Sequence, residues 1–220
     1  MKYQKFFIPS GEAGVRLEVV AAKPQHDGPY PTIIFNHGST GRGQNKALYS
    51  RTICPAVIGN YFVERGWMAL FPRRRGRGKS EGVYGEGLAS DGSGYSCNVE
   101  VAIAVFERAV EDVDAVVRHL RERSDVDQDQ LVIGGISRGG ILAIAYAGIR
   151  SITFRGAINF NGGWLGRGCP SHEIVNPLIF ERGASSGIST LWLHGSYDQY
   201  YRIGHCRGNF ERFQSAGGQG

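Results

Sequence analysis

The stretch from Gln130 to Ile144, QLVIGGISRGGILAI, leaves a chain few ways to fold. Leu131 to Gly135 is an apolar, β-branched run that fits a buried strand, and from Arg138 small and aliphatic residues continue at helical spacing. Between strand and helix stands Ser137. Gly135-Ile136-Ser137-Arg138-Gly139 has the form G-x-S-x-G, in which glycines leave room for a strained turn that lifts a serine hydroxyl above a sheet.

The pattern alone decides little in a chain with 33 glycines, and it occurs twice more. Gly78-Lys79-Ser80-Glu81-Gly82 follows a strand-like run but leads into no helix, and Gly183-Ala184-Ser185-Ser186-Gly187 precedes a strand instead of following one. Only Ser137 has a strand before it and a helix after it, which makes it the candidate nucleophile.

The same alternation of strand and helix runs through the chain. Lys5–Pro9 and Val15–Ala22 read as an opening hairpin, and Thr32–Asn36 as a central strand ending in His37-Gly38-Ser39. A helix from Pro55 stops at Gly66, and a strand follows at Trp67–Phe71. Residues 73–98 are rich in glycine and charge and read as a long functional or mobile loop. Val99–Arg123 carries an apolar stripe at Val101, Val105, Ala109, Val113, Val116 and Leu120, with His119 on or near the solvated face. Gly156–Asn161 and Thr190–His194 are further strands, Leu165–Gly187 is an irregular lid or surface excursion, and Cys206–Ser215 is a last amphipathic segment. The expected fold is α/β, a mostly parallel sheet with helices on both faces and its chemistry at the carboxyl ends of the strands.

With 220 residues, 41% of them hydrophobic, and no break in composition, one domain over residues 1–220 is expected. A net charge of +5 without a basic tail or nucleic-acid motif gives no reason to expect a nucleic-acid partner. The first residues do not resemble a signal peptide and no segment is long enough to span a membrane, so a cytoplasmic protein is expected. Cys54, Cys97, Cys169 and Cys206 lack the paired spacing of a zinc site and are expected to be reduced, with a Cys169–Cys206 bridge as the alternative. Gly78-Lys79-Ser80 is not a nucleotide loop, because Arg73 stands where that loop needs glycine. Asp125, Asp127 and Asp129 lack the glycine and glutamate of a calcium loop and read as a solvated turn.

A serine hydroxyl needs a base, normally histidine, which is itself oriented by a carboxylate. In chains with this elbow the order is serine, acid, histidine. Asp198, beyond a strand end, is the only aspartate after Ser137 and is the candidate acid; Glu173, Glu181 and Glu211 follow no clear strand end. The oxyanion would be held by the backbone N–H of Arg138 and that of Ser39, with Gly38 allowing a close approach. No cofactor and no metal are expected. Arg73, Arg74, Arg75, Arg77 and Lys79 either flank the pocket mouth, where they would favour acidic esters, or form a solvated loop.

FNHGSTG, RGRGKSEG, GISRGG and LHGSYD, in this order with helices between them, resemble the α/β-hydrolase fold, in particular its dienelactone-hydrolase-like and prolyl-oligopeptidase-like branches. The resemblance implies a serine hydrolase whose substrate is a small-molecule ester or, less readily, a short peptide. Dienelactone hydrolases themselves use cysteine where this chain has Ser137. The resemblance also places the histidine after one further strand, whereas the only histidine after Asp198 is His205, seven residues on. Two expectations follow. Either His205 is the base, or the chain is C-terminally incomplete, lacks its last strand and helix, and is inactive for want of the histidine. A serine aminopeptidase, or a non-catalytic binding protein on a hydrolase frame, stands as the alternative function.

Overall fold

The computed structural model describes residues 2–150 and 153–220 and arranges seven strands in one sheet. Strands β1 (Lys2–Pro9) and β2 (Arg16–Lys23) form the antiparallel hairpin. Then come β3 (Tyr30–Asn36), β4 (Met68–Pro72), β5 (Val126–Ile136), β6 (Gly156–Phe160) and β7 (Thr190–Leu193). The order across the sheet is β1-β2-β4-β3-β5-β6-β7, antiparallel from β1 to β4 and parallel beyond. Chain order reverses around β3, and a crevice at such a reversal, beyond the carboxyl ends of the strands, is where ligands bind in open α/β sheets.

Two-residue periodicity sorts the side chains of the central strands between two apolar layers. Ile34, Met68 and Leu70 pack with α3 (Val99–Arg121) and α4 (Arg138–Ile149), while Ile33, Phe35, Ala69 and Phe71 pack with α2 (Ala56–Val63). Helix α3 begins where Asn98 accepts the Val101 N–H at 2.9 Å, and its last turn carries Arg118, His119 and Arg121, favourable at the negative end of the helix dipole. The expected solvated position of His119 is corrected in part, since its ring lies 5.5 Å from Phe6 and its Nε2 is buried. On the α2 side, the sheet leaves Leu191 and Leu193 exposed. Among the described residues no helix is long and apolar enough to cross a membrane.

Several expectations change. The short helix α1 (Lys46–Tyr49) was not legible, and β5 begins at Val126, so Asp127 and Asp129 lie in a strand. The expected irregular stretch Leu165–Gly187 contains α5 (His172–Glu181), a helix that has Pro177 inside it, with Ala184–Ser186 as a 3-10 turn beyond. The final helix, α6 (Ile203–Ser215), starts three residues before the expected segment. Residues 73–98 form a wall that is buried at Arg73, Arg74, Arg75, Arg77, Ser80 and Glu86 and exposed at Val83 and residues 90–93. Cys169 pairs with Cys97 across a separation of 72 residues, whereas Cys206 is a buried free thiol. Neither the reduced state of Cys97 and Cys169 nor a Cys169–Cys206 bridge therefore holds.

Candidate active site

Ser137 follows β5 directly and caps α4, with φ 55° and ψ −122°. That region is sparsely populated for residues with a side chain and costs on the order of 1–3 kcal/mol, so neighbouring structure must enforce it. The flanking glycines are how it does so. A Cβ on Gly135 would stand 2.3 Å from Gly139 O, and one on Gly139 would stand 2.1 Å from Asn36 O. Only bare backbone fits where β3, β5 and α4 converge. Ser137 O accepts the N–H groups of Gly140, Ile141 and Gly163, and Ser137 N–H donates to Phe160 O, which fixes the turn from four sides.

The other two G-x-S-x-G serines do different work. Ser80 donates to Arg73 O at 2.7 Å and accepts the Glu18 N–H at 2.8 Å, tying the 73–98 wall to β2. Ser185 is exposed in the 3-10 turn.

Ser137 opens into a cavity of about 800 Å³ that is also lined by Gly38, Ser39, Arg138 and Asp198. Gly38 passes so close that a Cβ there would lie 3.0 Å from Ser137 Cβ. The N–H groups of Ser39 and Arg138 have no hydrogen-bond acceptor among the described residues, so both are available to an incoming oxygen. The side chain of Arg138 is buried among neighbours that line the same cavity. It donates to Trp164 O at 2.9 Å and Glu86 O at 2.8 Å and stacks on Tyr95, with 4.0 Å from its guanidinium carbon to the ring centroid.

Asp198 stands five residues past β7. Its Oδ1 accepts the N–H groups of Tyr200 and Tyr201, both at 2.8 Å, which leaves Oδ2 without a partner among the described residues. Tyr201, not legible as a site residue in local pattern, is buried with its Oη 3.2 Å from Ser137 Oγ. Burial pushes the Tyr201 phenol up to about 12, so it stays protonated and gives its proton to Gly163 O at 2.7 Å.

His205 is not brought to Ser137. It lies in α6, with its Nε2 accepting from Asn176 Nδ2 at 3.1 Å and its ring 4.5 Å from that of His172. The lone pair a base would need is therefore occupied, and burial, with His172 beside it, lowers its proton affinity. His37 is equally unsuited. Its Nε2 accepts the Arg74 N–H and its Nδ1 faces Gly38 O, while burial and the charges of Arg74, Arg77 and Arg73 hold it neutral. No described histidine has a hydrogen bond to Ser137 or to Asp198.

The arginines divide between two faces. Arg75 points to α3, pairing with Asp112 at 2.6 Å and with Glu111 and Glu12. Arg74, Arg77 and Arg138 converge on the buried carboxylate of Glu86, at 2.8, 3.6 and 3.4 Å. Burial alone would raise the Glu86 carboxyl, but the charges of Arg74 and Arg77 and the Arg74 hydrogen bond bring it down to about 2.

Comparison with known proteins bears on the fold. Residues 90–164 match the model of the prolyl oligopeptidase family, and no curated protein sequence matches the chain. Among solved structures, the acylaminoacyl peptidase of Pyrococcus horikoshii superposes with a TM-score of 0.66 at 16% identity, over 99% of this chain but 35% of its own. The chain thus spans about a third of that protein's length. Est1E of Butyrivibrio proteoclasticus, with ferulic acid bound, gives 0.69 at 15% identity, over 94% of this chain and 85% of its own. An α/β serine hydrolase homologue from Coxiella burnetii gives 0.65 at 18% identity, over 97% and 83%. At such identities the likeness shows the fold.

Proposed function

We propose that this chain, which has the α/β-hydrolase fold, carries the nucleophile of a serine hydrolase that cleaves carboxylic esters through an acyl-enzyme on Ser137. The observation that carries the reading is the strained Ser137 backbone beneath two unengaged amides in one cavity with Asp198. Ser137 Oγ would attack the acyl carbon while its proton passes to a base. The carbonyl oxygen, now negative, would be held by the N–H groups of Ser39 and Arg138. Such donors are worth about 10²–10³ in rate each. The alcohol would leave with the proton, and water would then release the acid.

The base is a histidine that the described residues do not place. The open Oδ2 of Asp198 is where its N–H would bind. Esters are favoured over peptides because Est1E, whose bound ferulic acid is a carboxylic acid of the kind an ester would release, is matched over most of its length and the acylaminoacyl peptidase over about a third. The match at residues 90–164 is what favours the peptidase reading. The Cys97–Cys169 bridge favours an oxidising compartment over the expected cytoplasm.

A fluorophosphonate probe tests the nucleophile. A form that supplies this histidine should be labelled at Ser137 and should hydrolyse aryl esters faster than aryl anilides, with both activities lost in Ser137→Ala. Labelling at another serine, or anilides cleaved faster than esters, would overturn the respective part of the reading.

A further inference from the structure

Residues 38–42 pass Ser137 with few backbone hydrogen bonds to hold them. Among the described residues, Thr40 is the only one of the five whose N–H has an acceptor, and that acceptor is Tyr95 Oη, at 3.3 Å. The turn that follows closes against the same side chain. Gly43 has φ 83°, its N–H donates to Thr40 O at 2.8 Å, and a Cβ added to it would stand 2.5 Å from Tyr95 Cε1, so only glycine lets the turn close on the ring.

A peptide unit is planar, so the direction of the Ser39 N–H is set by the plane it shares with Gly38 O. Arg77 Nη2 holds that oxygen at 3.3 Å, and Tyr95 holds the next plane through the Thr40 N–H. The Ser39 amide is thus steadied from both sides. Tyr95 also reaches the second amide's residue, because the Arg138 guanidinium lies over its ring, 4.0 Å from the centroid, in a cation–π contact. One side chain therefore touches both segments that carry the unengaged N–H groups. Its own backbone is well fixed: Tyr95 forms an antiparallel bridge with Leu88, Ala89 N–H donates to Gly94 O and Ser96 N–H to Gly87 O, both at 2.8 Å, and Cys97, two residues on, is bonded to Cys169.

We infer that Tyr95 is a positioning residue for the oxyanion site, its hydroxyl setting the Ser39 amide through Thr40 and its ring setting Arg138. As a statement about catalysis this rests on the reading of Ser137 given above; as a statement about the loop it stands on the contacts of Tyr95. It acts through Ser39 and Arg138 and not on the reacting atoms. Displacing a catalytic group by about 1 Å can cost about 10² in rate, so a loop held by one hydroxyl is a sensitive point.

The test compares the parent with Tyr95→Phe, which keeps the ring beneath Arg138 and removes only the hydroxyl. In the 220-residue chain, amide hydrogen exchange read by NMR should show Thr40 exchanging about fivefold faster in Tyr95→Phe, with the amides of α4 unmoved. In a form that supplies the histidine, kcat for an aryl ester should fall by about ten- to a hundredfold with KM unchanged, as for an interaction made in the transition state. Tyr95→Leu, which removes the ring as well, should fall further. Unchanged Thr40 exchange, faster exchange throughout α4 as well, or an unchanged kcat in Tyr95→Phe would each overturn the inference, and a Tyr95→Leu kcat no lower than that of Tyr95→Phe would overturn the part given to the ring. Fluorophosphonate labelling separates the two readings. An unlabelled Ser137 in the parent removes the serine chemistry and leaves the exchange result to decide whether Tyr95 holds the loop, whereas a labelled Ser137 with Thr40 exchange unmoved removes only the role of Tyr95.

Discussion

Ser137 Oγ donates its proton to Tyr201 Oη across 3.2 Å, because Tyr201 has already committed its own proton to Gly163 O. The proposed nucleophile is thus held by a neighbour that holds no spare proton. Tyr201→Phe should leave Ser137 reactive towards a fluorophosphonate while lowering stability by about 1–2 kcal/mol, since the buried Gly163 carbonyl loses its donor. Denaturant titration and adduct mapping check the two halves. Loss of labelling would show that Tyr201 also manages the nucleophile's proton.

Glu86 gives the fold a definite response to acid. Its carboxyl falls from 4.5 to about 2 on folding, so the unfolded chain takes up this proton first as pH drops. The contribution is fully present above about pH 4.5 and is lost as pH falls towards 2; it amounts to about 3 kcal/mol. Urea midpoints measured from pH 5 to pH 2 should therefore fall more steeply for the parent than for Glu86→Gln. At pH 7 the variant should already be weaker by about 3–5 kcal/mol, having left Arg74, Arg77 and Arg138 without their shared anion.

Two glycines that look alike in sequence should behave oppositely. Gly139→Ala would drive a Cβ to within 2.1 Å of Asn36 O, and it should cost more than about 3 kcal/mol or displace Ser137 enough to abolish labelling. Gly208, within α6, has nothing within 4 Å of its added Cβ, so Gly208→Ala should stabilise by about 0.5–1 kcal/mol. Melting temperatures of the pair decide the matter.

The Cys97–Cys169 bridge ties the arginine-rich wall to the segment that carries Trp164. Closing 72 residues should stabilise by up to about 4 kcal/mol through restriction of the unfolded chain. Reductant should lower the urea midpoint of the parent and leave that of the Cys97→Ser, Cys169→Ser double variant unmoved. Equal midpoints for both proteins with and without reductant would show that the bridge does not form.

What could be read from sequence was local in its physical origin. The run Leu131–Gly135 and the small residues after Ser137 announce strand, turn and helix because each property repeats within a few neighbours. Asp198 could be singled out as the candidate acid by elimination, as the only aspartate after Ser137. What could not be read depends on distant partners. Arg73 to Arg77 look like a solvated charge run until Glu86 and Asp112 are seen beside them. Pro177 argues against a helix, yet α5 forms, held to the site by Asn176, which accepts from the N–H groups of Trp164 and Leu165. The pairing of Cys97 with Cys169 and the approach of Tyr201 to Ser137 have no counterpart in local pattern.

The strand order has a consequence for how the chain is made. Strand β3 lies between β4 and β5, and Asn36 reaches Gly134 O from 98 residues away. At ordinary translation rates the nascent chain would present one unpaired edge of β3, with Ile33, Ile34 and Phe35, for roughly five to twenty seconds before β5 left the ribosome. The serine's strand is the piece that closes the centre of the sheet. A cell making this protein quickly would thus be expected to depend on chaperones that shield β3 during that interval, and slowing synthesis alone would lengthen the exposure.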